Sequence, residues 1–148
     1  MTADALAALM KDYCGGWRFC SDSDVEVFNP AMCRNLLDAL ERTGRVSEDC
    51  SGLGFDKVTE AARRLLAWAD DDRLRDAVKR AAAGEAVELP CGYLTQAFSL
   101  DRPHRPFDSQ KVLSLLYCMG FLTFAKGTSC TLRCPNKTMQ QRLAACCA

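Results

Sequence analysis

Apolar side chains in this sequence recur at spacings of three and four, in short runs, with glycine after most runs and Asn or Asp before several. Such punctuation dictates short amphipathic helices rather than an extensive sheet. The first helix is expected over residues 3–13, with Leu6, Leu9, Met10 and Tyr13 on one face. Gly15-Gly16 follows as its stop, since glycine takes a left-handed C-cap without steric cost. Asn29-Pro30 starts the second: the Asn side chain accepts from a free N–H of the first turn, and proline suits the next position. Cys33, Leu36, Leu37 and Leu40 form its stripe. A third helix is expected over 55–69, with Phe55, Val58, Ala62, Leu65, Leu66 and Trp68 on or near one face. A fourth starts at Asp70-Asp71-Asp72, carries Lys79 and Arg80 at its negative end and stops at Gly84. A fifth is capped by Asp108 or Ser109, buries Val112, Leu115, Leu116 and Met119, and ends at Gly120. A sixth begins at Asn136 and turns Met139, Leu143 and Cys146 or Cys147 inward.

Strand signals are few. Val25–Phe28, "VEVF", alternates and is β-branched. "EAVELP" offers another short strand, and "FLTFAKGTSCTLRC" reads as a hairpin around a glycine turn, with Cys130, Leu132 and Cys134 sharing a face. Residues 43–54 and the proline-flanked stretch before Asp108 read as loops. The expected class is α+β, mainly helical. A helical region over 1–84 is followed by a helix–hairpin–helix region over 85–148, the two forming one compact unit. The second region is compatible with a winged-helix-like unit.

A chain of 148 residues, 49% hydrophobic and 26% charged, is ordinary for a globular domain. Its zero net charge conceals a polarity. From Ser109 onward Lys111, Lys126, Arg133, Lys137 and Arg142 meet no Asp or Glu, so the last quarter carries +5 and residues 1–108 carry −5. A basic quarter can attract phosphate or an acidic surface. The N-terminus lacks a basic, then apolar, leader pattern, and no run approaches the ~18 apolar residues of a membrane span. An intracellular protein with reduced thiols is expected, without membrane partners. The ten cysteines include no C-x-x-C pair and the single histidine is His104, so a zinc site is not expected; small buried hydrophobes are the expected role.

The phosphate loop G-x-x-x-x-G-K-[ST] is absent, and "FAKGTS" holds Lys, Gly and Thr in the wrong order. G-x-S-x-G is absent. His104 sits in "DRPHRPFD", a cationic loop with no nucleophile beside it in sequence. No carboxylate spacing singles out an acid–base pair. No catalytic set, no metal site and no cofactor follow from the residues.

Four stretches carry a resemblance. "YCGGWRF", "VFNPAMCRNLLDAL", "VLSLLYCMGFLTF" and "LRCPNKTMQQRL" come in the order and spacing of the predicted AAA-ATPase-like domain family. Tyr13, Gly15 or Gly16, Trp17, Arg18 and Phe19 resemble its first box, and Phe28, Asn29 and Pro30 its second. Leu116, Tyr117, Gly120, Phe121, Leu122 and Thr123 resemble its third; Pro135, Asn136 and Lys137 resemble its fourth. Trp17 and Phe121 stand where the family has tyrosine, and Thr138 where it commonly has an acid. The resemblance implies a helical lid and a winged-helix-like part, which in the family lie behind the nucleotide-binding core. It further implies a non-catalytic interaction module whose partner is a protein or a separate P-loop core. Arg18 is then the residue that would reach a phosphate, or else an arginine packing its stem on Trp17 and Phe19. The alternative function is nucleic-acid binding by the basic quarter, through Lys126, Arg133, Lys137 and Arg142.

Overall fold

A computed structural model describes residues 1–45, 56–69, 71–95 and 108–147. His104, Phe55, Asp70, most of the 43–54 loop and most of the proline-flanked loop lie outside the described residues. The elements run α1 (Ala3–Cys14), α2 (Pro30–Thr43), α3 (Asp56–Trp68), α4 (Asp72–Ala82), β1 (Val87–Glu88), α5 (Ser109–Cys118), β2 (Thr123–Phe124), β3 (Thr131–Arg133) and α6 (Lys137–Cys147). The class is α+β and mainly helical.

The caps follow the side-chain chemistry. Asn29 Oδ1 accepts from the N–H groups of Ala31 and Met32, at 3.0 and 3.2 Å. Asp71 accepts from Arg73 and Leu74 at the head of α4, and Asp108 from Lys111 at the head of α5. Each such cap satisfies a donor that the first turn leaves orphaned. At the end of α1 the outcome differs from the expected left-handed cap. Gly15 is extended at φ −105°, and the left-handed residue is Gly16, at +89°.

The helical stripes also rotate. On α2 the buried pair is Met32 and Leu36, while Leu37 is exposed. Trp68, at the end of α3, is 67% exposed. On α5 Leu113 takes a fully buried place, and Leu115 and Met119 are only partly covered. The sequence gives spacing but not phase: a stripe wider than the contact leaves one margin in solvent.

The sheet is antiparallel in the order β1-β3-β2, with Val87 opposite Leu132 and Phe124 also opposite Leu132 from the other side. Leu132 is therefore central and has no exposed surface; Cys134 is buried with it, whereas Cys130 is exposed. Val25–Phe28 forms one bridge, Val27 to Trp17, rather than a ladder. Helix α6 packs against α3, α4 and α1, α4 against β1, and α3 against α5. Residues from both sides of position 84 enter one apolar cluster, among them Leu36, Leu74, Leu116, Phe121 and Leu143. Each such fully buried side chain stabilises by about 1.5–3 kcal/mol. No helix among the described residues is long and apolar enough to cross a membrane.

Candidate functional site

The four sequence boxes converge on one junction, where the segment after α1 lies between the hairpin and the head of α6. Asn136 joins two of them. Its Oδ1 accepts from Met139 N–H at 3.0 Å, capping α6, and its Nδ2 donates to Gly15 C=O at 2.8 Å. Thr138, in the place of the expected acid, donates from Oγ1 to Tyr13 C=O at 2.9 Å. Lys137 pairs with Asp12 at 2.7 Å and lies 5.6 Å from the centre of the Tyr13 ring. That hydrogen bond to Asp12 holds the Lys137 ammonium above its ordinary pKa.

Here the two glycines find their reasons. A Cβ on Gly16 would stand 2.0 Å from Pro135 C=O, so the first box touches the fourth backbone to backbone. A Cβ on Gly15 would stand 3.0 Å from both Lys11 C=O and the Phe28 ring. Trp17 Nε1 donates to Gly120 C=O at 3.2 Å, tying the first box to the third. Thr123 completes that tie: its Oγ1 accepts from Arg18 N–H at 2.6 Å and donates to Arg18 C=O at 2.7 Å. Phe124 N–H also reaches Arg18 C=O, at 3.4 Å. The second box enters through Trp17, which exchanges backbone hydrogen bonds with Val27, and through Asn29 N–H, which donates to Cys14 C=O.

Electrostatics decide what the junction can do. Arg18 is 4% exposed, and its Nη2 donates to Glu26 Oε1 at 3.0 Å. The same oxygen accepts from Arg133 Nη2 at 2.9 Å, so two guanidiniums share one carboxylate. Arg18 Nε is buried and has no hydrogen-bond partner among the described residues. Lys126 pairs with Asp24 at 2.7 Å, and that contact draws the Asp24 carboxyl below its usual range. Burial pushes the Cys134 thiol up to about 12, which keeps it neutral.

Of the candidate surface residues, then, Lys126, Arg133 and Lys137 each face an acid from residues 12–26. Arg142 is not on the surface. It is 7% exposed and its Nη1 meets Thr59 Oγ1 at 3.2 Å, because α6 lays that face on α3. The structure brings Arg18 and Arg133 together and leaves Lys126 and Lys137 on separate pairs. Sequence reasoning missed Glu26 and Thr123 as partners. The opposed charges of the two chain ends were the signal for the first; nothing in the residue pattern pointed to the second.

Two hollows flank Phe28. One, roughly 300 Å³, is lined by Trp17, Phe19, Phe28, Tyr117 and Leu122 among others. The other, roughly 400 Å³, is lined by Lys11, Gly16, Arg18, Asp24, Glu26 and Phe28. Phe19 is 68% exposed and Phe28 45%. Among the described residues no cluster of three or more His, Cys, Asp or Glu is placed to hold a metal ion. Comparisons with protein-family models, with curated proteins and with solved structures found no match.

Proposed function

We propose that the chain is a non-catalytic module of the AAA-ATPase-like kind, a helical lid with a winged-helix-like unit, that works by binding protein. The observation that carries this reading is the junction itself. The polar groups of the resembling boxes are spent on one another: Asn136 on Gly15 and Met139, Thr138 on Tyr13, Thr123 on both backbone groups of Arg18. Arg18, the residue that would reach a phosphate, is buried and engaged by Glu26. Such residues hold a shape rather than perform a reaction.

The winged-helix-like part is supported by order. A helix (α4), a strand, a helix (α5) and a hairpin follow in turn, and the second hairpin strand sits in the middle of the sheet. Protein binding is supported by the exposed aromatic and β-branched strip of Phe19, Val25 and Phe28 beside an apolar groove. The nucleic-acid alternative gains no support from the basic residues, which are ion-paired within the chain or buried. Calorimetric titration with magnesium–ATP tests the reading. No saturable heat is expected up to about 1 mM nucleotide; micromolar binding, or phosphate release by the purified chain, overturns it.

A further inference from the structure

The segment after α1 lies against β2 through one backbone hydrogen bond and the Thr123 side chain, and the segment before α2 meets it at a single antiparallel bridge. Arg18 lies along Thr123 and Phe124, and Val27 pairs with Trp17 on the far side. Val27 spends both its backbone groups on Trp17. In an antiparallel pair the neighbours of such a residue turn their N–H and C=O to the opposite edge. The backbone groups of Glu26 and Phe28 thus face outward, and none has a hydrogen-bond partner among the described residues. This edge is unprotected: Val25 is 67% exposed, Val27 37% and Phe28 45%. Proteins that leave an edge open in this way invite another strand.

We propose that residues 25–28 receive an extended segment of a partner protein as an added β-strand, with alternating apolar and acidic side chains. The proposal rests on the protein-binding reading above. Alternation is required because an added strand sends successive side chains to opposite faces. One face carries the groove of Trp17, Phe19, Tyr117 and Leu122, which takes apolar groups. The other carries the hollow of Lys11, Arg18, Asp24 and Glu26. Arg133, beside that hollow, joins Arg18 on the Glu26 carboxylate, Lys126 matches Asp24 from outside it, and Lys11 has no ion-pair partner among the described residues. Positive charge is left unmatched there, and the Arg18 Nε–H is left without an acceptor. An acidic side chain fits this hollow and a basic one does not. A second copy of this chain fits less well. Its own alternating stretch, residues 25–28, offers only Glu26, whose carboxylate is already held by Arg18 and Arg133.

The test uses the full chain, ¹⁵N-labelled, and two synthetic peptides, VEVEVEV and VKVKVKV, each also made with alternate backbone nitrogens methylated. VEVEVEV is expected to shift the Glu26 and Phe28 amides saturably, VKVKVKV to bind more weakly, and methylation to weaken VEVEVEV by about tenfold. Equal binding of the two unmethylated peptides, an unchanged affinity after methylation, or no shift at either amide overturns the proposal. So does concentration-dependent broadening of those amides without peptide, accompanied by a dimer in sedimentation, which assigns the edge to a second copy. Loss of the peptide result with no ATP heat retires this edge alone, whereas ATP turnover retires the non-catalytic reading whatever the peptides do.

Discussion

At the scale of the residue, the junction turns on positions where one atom more or fewer is decisive. Gly16 combines a left-handed backbone with a carbonyl 2.0 Å from any added Cβ. Gly16→Ala should cost about 3 kcal/mol in urea unfolding. Gly44, also left-handed but open around its Cα, should lose only about 1 kcal/mol on the same change. The contrast separates collision from backbone strain; equal losses would refute it. Thr123→Val keeps the shape but strips the partner from Arg18 N–H and leaves Arg18 C=O only the 3.4 Å bond from Phe124 N–H, and should cost about 1–3 kcal/mol. Glu26→Ala leaves Arg18 buried without its carboxylate and should cost about 3 kcal/mol. Adding Arg18→Met to that variant should recover part of the loss, since the stranded charge is then gone.

At the scale of the element, helix starts were legible because capping is local chemistry. Asn29, Asp71, Asp108 and Asn136 each accept within their own first turn. Asn29→Ala should therefore lower stability by about 1 kcal/mol, read from the unfolding midpoint. Asn136→Ala should cost more, about 2–3 kcal/mol, because it also releases the buried Gly15 carbonyl. The single added increment of Asn136 shows where legibility stops: its cap is written three residues away, its second bond 121 positions away. The same limit explains Leu37 and Trp68. Periodicity placed them on an apolar stripe, but which margin of a stripe meets its neighbour depends on helices that sequence spacing does not orient. The site itself was half legible. The four boxes were readable as boxes, yet their meeting in one place was a tertiary fact.

At the scale of the whole molecule, the opposed charges of the chain resolve into internal pairing. The basic last quarter meets Asp12, Asp24 and Glu26 from the front of the chain, and Arg142 lies inside. A footprint for polyanions and a registry for folding have the same composition and differ only in where the partners lie. The expected role of small buried hydrophobe holds for Cys14, Cys134 and Cys146, whereas Cys20, Cys91, Cys118 and Cys130 are exposed and Cys33 and Cys147 half-buried. Cys134 makes stability depend on alkaline pH. Its thiol ionises near pH 9 when unfolded and near pH 12 when folded, so the unfolded state sheds its proton first. Stability is full below about pH 9 and falls through the interval to pH 12, by about 1.4 kcal/mol per unit from this group. Cys134→Ala should flatten that slope in guanidinium unfolding series; an unchanged slope would exclude the mechanism.

The four boxes are expected to act as one cooperative junction that holds the fold. Native-state hydrogen exchange reads it most directly, through the amides of Trp17, Val27, Phe124 and Met139, all hydrogen-bonded there. They are expected to exchange together, through the same global unfolding that exposes the core helices. Rapid exchange of Trp17 and Val27 while α5 and α6 stay protected would contradict it, because the first two boxes would then be ornaments on a fold that stands without them.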